Sequence, residues 1–344
     1  MSGVLLVDWL GRGGIAQTSE SWAIVLGAAG HEVIVVTRPD RELGSGAVVV
    51  TAAPHARGRV GAHRAVARAA SRAIRDLGPS TVVIQNYVLP PLESPVYSAA
   101  RAVGARVVVG VHDHRLHTLA AGTRVGMKQH LRSADVVVTH TQFVADGVRA
   151  FAGRTDIAVV PHPAQLGMLR HEREDLVLPG GPGHWAGHFG VLQRAYKGGD
   201  VVEALARTGA DGWRVLAVGV GARDDVPGIH AIPGYASPGK LVGAVGATDV
   251  TLAPYAHATQ SGVVVLGHLV GSVPVASAVG GIPEQIEHGV DGWLVPAGAP
   301  IDAWTTALAT LADEDVRKEM AVAGTARAWR DHERFAARVA EVVA

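Results

Sequence analysis

The sequence predicts an α/β protein built from two Rossmann-like halves joined end to end. Three observations predict it: short Val/Ile runs that are continuous rather than alternating, helical stretches between those runs, and one interruption of the pattern near mid-chain. Continuous apolar runs are the mark of strands buried on both faces of a parallel sheet. Their alternation with helices is the β-α-β-α order of a doubly wound sheet. A chain of 344 residues is long for one domain and suits two of ordinary size.

In the first half, strands are expected at 4–8, 32–37, 47–51, 81–85, 106–111, 135–139 and 157–161, with helices at 17–29, 61–77, 96–103 and 141–152. Residues 164–183 are charged and then rich in Gly and Pro, which reads as a linker. The second half repeats the alternation, with strands at 187–191, 214–219, 229–232, 250–254, 273–277 and 292–295. Its helices fall at 199–208, 238–246, 261–269, 282–287 and 303–312, and a helical tail over 315–344 is expected to break near Gly324. The resulting domains are 1–165, 166–328, and a C-terminal helix at 329–344 that returns to the first. Ligands of such sheets sit at the C-terminal ends of the strands. Two halves that face each other would hold a single ligand in the cleft between them.

Composition narrows the function. Apolar residues make up 48% and charged residues 18%, enough for packed cores. There is no cysteine, which removes disulfides, thiolate metal sites and thiol nucleophiles. The N-terminus lacks a signal-peptide layout and no apolar run is long enough to span a bilayer, so a soluble, cytoplasmic protein is expected. Residues 1–160 hold 17 Lys+Arg against 11 Asp+Glu, and the remainder 14 against 20. That imbalance is too small for a dedicated nucleic-acid binder. It permits weak peripheral contact of a basic first half with a membrane surface or an anionic partner.

Four loops carry candidate chemistry. Gly11-Arg12-Gly13-Gly14 follows the first strand, where Gly13 and Gly14 let backbone N–H groups approach a phosphate, or form a plain tight turn. Arg194 and Lys197 lie three residues apart after the first strand of the second half. They form either a fork-and-point-charge clamp for a diphosphate or a solvated surface pair. Thr259-Gln260-Ser261-Gly262 opens an apolar helix, so Ser261, Gly262 and Val263 can offer N–H groups to a phosphate; Ser261 is equally an ordinary N-cap. Gly280-Gly281-Ile282-Pro283-Glu284 is a strand–loop–helix signal, with Glu284 placed to favour the helix dipole or to accept sugar hydroxyls.

These residues resemble retaining GT-B glycosyltransferases, and glycosyltransferase family 4 in particular. The Gly-rich first loop, the Arg/Lys pair, Asp249 before the Pro-Tyr strand end, Gly271, Pro274 and Val275, the Gly280-Gly281-x-x-Glu284 turn and the His288–Gly292 ending occur in the family's order. The resemblance implies transfer of a sugar from a nucleotide-diphosphate donor, with UDP favoured, to an acceptor hydroxyl with retention of configuration. It implies that Arg194 and Lys197 hold the donor diphosphate from one side and the backbone at Ser261–Val263 from the other. Gly13, Gly14, Gln260 and Glu284 complete the donor contacts. His112, in Val111-His112-Asp113-His114, matches the family's histidine near the donor sugar. A metal reading of His112, Asp113 and His114 is the minor alternative, because the family needs no metal or other cofactor.

One departure stands out. The family carries two glutamates eight residues apart, and counting back from Gly271 and Pro274 puts Ala258 and Leu266 in their places. Gln260, His257 or His268 would then have to meet the ribose, since an unpaired buried polar group costs about 1–3 kcal/mol. Some relatives carry Thr-Gln-Ser-Gly here, consistent with a divergent subgroup. In the family's mechanism the departing diphosphate takes the acceptor proton itself, so no carboxylate pair is required. The acceptor, an unknown small molecule, glycan or lipid-linked group, falls to the first half. There Arg64, Arg68, Arg72 and Arg75 share one helical face, as a solvated surface or an anion-attracting one. Trp9 would stack on an acceptor ring or sit in the core. Two other readings share the diphosphate site: a GT-B-fold nucleotide-sugar epimerase, and a non-catalytic nucleotide-sugar-binding subunit.

Overall fold

The computed structural model describes residues 3–42, 48–51, 58–86, 88–114, 123–180, 183–209 and 212–344. The chain divides into two compact units, residues 1–163 with 333–344, and residues 164–332.

Unit 1 is a seven-stranded parallel sheet in the order β3-β2-β1-β4-β5-β6-β7. Its strands are β1 (Gly3–Asp8), β2 (Glu32–Thr37), β3 (Val48–Thr51), β4 (Thr81–Gln85), β5 (Arg106–Val111), β6 (Val136–Thr139) and β7 (Ile157–Val159). Between them run α1 (Gly13–Ala28), α2 (Gly58–Leu77), α3 (Pro90–Ala102), α4 (Thr123–Ser133) and α5 (Gln142–Ala152). Alternate strand residues face opposite layers. Leu5, Val7, Val82, Ile84, Val107 and Val109 pack under α2 to α5. Val4, Leu6, Val83 and Val108 pack against Trp22 and Leu26 of α1 and against Phe335, Val339 and Val342 near the C-terminus. Helix α4 is absent from the sequence expectation. Its only fully buried apolar side chains are Met127 and Leu131, too few to give a visible stripe.

Unit 2 is a six-stranded parallel sheet in the order β10-β9-β8-β11-β12-β13. The strands are β8 (His184–Val191), β9 (Trp213–Val220), β10 (Ile229–Pro233), β11 (Val250–Ala253), β12 (Val273–Ser277) and β13 (Trp293–Val295). The helices are α6 (Gly199–Thr208), α7 (Pro238–Gly246), α8 (Gly262–Val270), α9 (Ile282–Gln285), α10 (Ile301–Leu311) and α11 (Glu314–Val343). Among the described residues no helix is long and apolar enough to cross a membrane.

Two local expectations change. Residues 164–178 are not a free linker. Ala164 and Met168 are buried in the unit 2 core, and the chain then runs against α7. A Cβ at Gly239 or Gly243 would sit 1.9 Å from the carbonyl oxygens of Glu172 and Glu174, so glycine is what permits that approach. Helix α11 is continuous through Gly324, which serves close packing: a Cβ there would lie 2.7 Å from the His268 ring.

Candidate functional site

In each sheet the strand order reverses beside the first strand, between β1 and β4 in unit 1 and between β8 and β11 in unit 2. Such reversals open a crevice at the C-terminal strand ends, where ligands of doubly wound sheets bind. In unit 2 the two loops at this point are residues 192–198 and 254–261, both singled out by the sequence.

These loops are stitched together. Gly198 has a φ of 69°, and a Cβ on it would fall 1.9 Å from the Pro254 carbonyl oxygen. The Ala256 N–H donates to the Tyr196 carbonyl at 2.9 Å, and the Tyr196 and His257 rings lie 4.9 Å apart. The Lys197 ammonium is 4.0 Å from the centre of the Tyr255 ring, close enough for a cation–π contact. Behind it His188 is buried, with its ring bonded to the Lys197 backbone. Burial, then the Lys197 charge, lower its pKa to about 4, so it is neutral at physiological pH. Arg194 begins the short 3-10 turn at Ala195–Lys197 and is exposed. The structure therefore separates the predicted pair: Lys197 is half-buried and held, while Arg194 stands in solvent.

The other wall is the start of α8. Ser261 is the N-cap, its Oγ accepting from the Val264 N–H at 3.3 Å. Its own N–H donates to Gln285 Oε1 at 2.7 Å, so that group is already engaged. The N–H groups of Gly262 and Val263, in the first turn, have no intrahelical acceptor. The Tyr255 hydroxyl lies 3.3 Å from Ser261 Oγ, which ties the aromatic under Lys197 to the helix start. Gly262 also makes room for Gln165: a Cβ would lie 2.3 Å from its amide nitrogen. The glycine turn joins the same wall, with the Gly281 N–H donating to the Ala258 carbonyl at 3.3 Å. Glu284 is exposed in the first turn of α9, and Gln260 is half-buried beside Ser261.

Leu266 is 1% exposed and packs in the apolar cluster with Phe189 and Val218, while Ala258 is half-buried against another. Of the proposed ribose partners, His268 is committed elsewhere: its Nε2 bonds the Asp291 carbonyl oxygen at 2.9 Å, and burial lowers its pKa to about 4. Asp249 braces the fold, accepting from the Trp185 N–H at 2.8 Å and pairing with Arg317 at 3.2 Å.

In unit 1 the loop after β1 is held by Asp8, whose buried carboxylate accepts from the N–H groups of Leu10 and Gly11. Burial raises its pKa and those two bonds oppose the rise. At the start of α1 the Gly13 N–H donates to Glu42 at 3.1 Å, so an internal carboxylate occupies the position read as a phosphate contact. Gly14 has open space around its Cα. Trp9 is buried, stacks on His63 at 4.5 Å and donates its indole N–H to the Asn86 carbonyl, which makes it a core residue.

His112 follows directly on β5, with its Nε2 3.4 Å from Gln85 Oε1. It begins a row with His140, 5.1 Å away, and His162, a further 5.3 Å. Burial is the largest cause of depressed pKa values in all three, to about 4 for His140 and about 3 for His162. Among the described residues no group of three His, Asp or Glu is placed to hold a metal. Gln285, Tyr196, Glu42, His140 and His162 escape sequence reasoning, because each gains its role from a partner remote in the chain.

Comparison with known proteins follows the same division. Residues 13–163 match the profile of the Glycosyl transferase 4-like domain, and residues 185–314 match that of Glycosyl transferases group 1. The chain belongs to the GT-B glycosyltransferases assembled from these two domains. No curated protein sequence matches it significantly. Among solved structures it is similar to a sucrose-phosphate synthase from Thermosynechococcus elongatus, with a TM-score of 0.77 at 16% identity over 99% of this chain and 98% of the other. A glycosyltransferase from Rickettsia africae gives 0.72 at 15% over 99% and 97%. The Anabaena protein HepE in complex with UDP-glucose gives 0.69 at 15% over 100% and 97%. At these identities the likeness is one of fold.

Proposed function

We propose that this glycosyltransferase moves a sugar from a UDP-sugar to an acceptor hydroxyl with retention of anomeric configuration. The observation that carries the reading is the cradle at the β8–β11 switch point. There the Lys197 ammonium, fixed over Tyr255 whose hydroxyl meets Ser261, stands near the first-turn N–H groups of α8, which have no intrahelical acceptor. A point charge and a helix N-terminus converging on one crevice suit a diphosphate. The UDP-glucose complex of the Anabaena protein, which shares the fold, supports UDP as the carrier.

In the proposed reaction the bond from the anomeric carbon to the diphosphate oxygen breaks, and the acceptor oxygen bonds to the same face of that carbon. The acceptor proton passes to the departing diphosphate. Lys197 and the N–H groups of Gly262 and Val263 stabilise the charge that grows on that leaving group. Arg194, being exposed, would add charge from the rim. Glu284 and Gln260 are assigned to the sugar and nucleotide, and His112 to the acceptor side of the sugar. Gly14 remains a donor-side candidate, whereas Gly13 would first have to release Glu42. No metal or other cofactor is assigned a role, and the cysteine-free composition suits a cytoplasmic setting.

A thermal-shift screen against nucleoside diphosphates and their sugars tests the reading. A ligand at about 100 times its Kd should stabilise the fold by about 2.7 kcal/mol. No shift with any nucleotide would overturn the donor site, and formation of a new nucleotide sugar would replace transfer with epimerisation.

A further inference from the structure

Helices α2, α3 and α4 lie on one side of the unit 1 sheet, their buried residues sharing a single core. Glu93, in the first turn of α3, ties them together: it lies 3.1 Å from His63, near the start of α2, and 3.6 Å from His130, in the last turn of α4. The outward faces are unusual in charge. The three helices carry nine Lys and Arg, and their only acids are Glu93, which is buried, and Asp76, at the far end of α2. Arg64, Arg68, Arg72 and Arg75 are all exposed along the side of α2 opposite Val66, Ala70 and Ile74. Arg124, Lys128 and Arg132 repeat at four-residue spacing on α4. The intervening α3 exposes Pro, Ser, Ala and Arg101, and no carboxylate.

The patch is not purely polar. Val125, on α4, is 71% exposed and borders a shallow groove whose other walls are Lys128, Gln129, Arg132 and Ser133. Val60, at the start of α2, is also exposed. Cations with aliphatic stems around exposed valines match the outer layer of a bilayer, where phosphates meet the edge of the hydrocarbon. A nucleic acid would use the charges and leave the valines without a partner.

We propose that the α2–α3–α4 face of unit 1 docks on membranes containing anionic phospholipid. Such docking would suit an acceptor carried at a lipid surface, but it does not depend on the identity of donor or acceptor. The test is co-sedimentation of the full chain with vesicles of phosphatidylcholine alone and of phosphatidylcholine mixed with phosphatidylglycerol. Binding is expected only to the mixed vesicles and to weaken with salt. The variant Arg64→Glu/Arg68→Glu/Arg72→Glu should lose binding about a hundredfold or more while keeping its melting temperature, because each nearby cation contributes about fivefold. Val125→Ser, which leaves the charge unchanged, should weaken binding without changing its salt dependence. Equal binding to both vesicle types, no binding to either, or unchanged binding by the triple variant would overturn the proposal. Binding to duplex DNA as tight as to the mixed vesicles at one ionic strength would also overturn it, in favour of a general polyanion surface.

Discussion

Replacing Lys197 with alanine removes a half-buried cation from the β8–β11 crevice and leaves its supports in place. The ammonium sits 4.0 Å above Tyr255, at the wall formed by the first turn of α8. A unit charge about 4 Å from a phosphate oxygen contributes about 4 kcal/mol at the effective dielectric of a protein surface. Part of this attraction is present in the bound donor, and only the part that grows as the diphosphate leaves accelerates the reaction. About 3 kcal/mol is the share a single oxyanion donor supplies, which is about two decades of kcat. The fold loses less, because a cation–π contact at a partly exposed site is worth about 0.5–1 kcal/mol. UDP release from the donor, followed with thermal denaturation of the same preparations, separates the two effects. Turnover should fall about a hundredfold with a small change in Tm, and Lys197→Arg should recover part of the rate. Turnover within about threefold of wild type would refute the argument that Lys197 stabilises the leaving group.

Three further outcomes follow from the same geometry. Gly198→Ala forces a side chain against the Pro254 carbonyl at a φ of 69°, so donor affinity and rate should both fall while far-UV circular dichroism is unchanged. The buried imidazoles of His140, His162, His188 and His268 have folded pKa values of about 3 to 4, below their unfolded value of 6.5. Their stabilisation is complete above pH 6.5 and is lost as pH falls towards 4 and 3, so urea midpoints should drop steeply between pH 6.5 and 4 and stay flat from pH 7 to 8. Phe335→Ala empties a fully buried site edge-on to Trp22 and should cost unit 1 about 3–5 kcal/mol, measured by urea unfolding.

Much of this was legible in residue order. The Val/Ile runs give every strand of both sheets to within three residues, because parallel strands buried on two faces admit little else. The glycines around β8, β11 and β12 mark the loops that the sheet order later brings together. What escaped was decided by partners distant in sequence. Gly324 reads as a break until His268 is seen against it, and Gly13 reads as a phosphate contact until Glu42 is found on its N–H. Arg194 and Lys197 are alike as letters, yet only Lys197 is pinned, by a tyrosine 58 positions further along the chain. Ser261 caps the helix through its Oγ while its own N–H is taken by Gln285, so of the three N–H groups the motif offers only those of Gly262 and Val263 lack an intrahelical acceptor.

The reaction proposed for this chain is transfer of sugar from UDP with retention. It is tested most directly by proton NMR of the purified protein incubated with UDP-sugars, in water and with simple sugar acceptors. Retaining transfer should yield UDP together with free or transferred sugar whose anomeric configuration, at first appearance, is that of the donor. An inverted anomer would contradict retention. A new UDP-sugar, or donor bound without turnover under any acceptor, would contradict transfer itself.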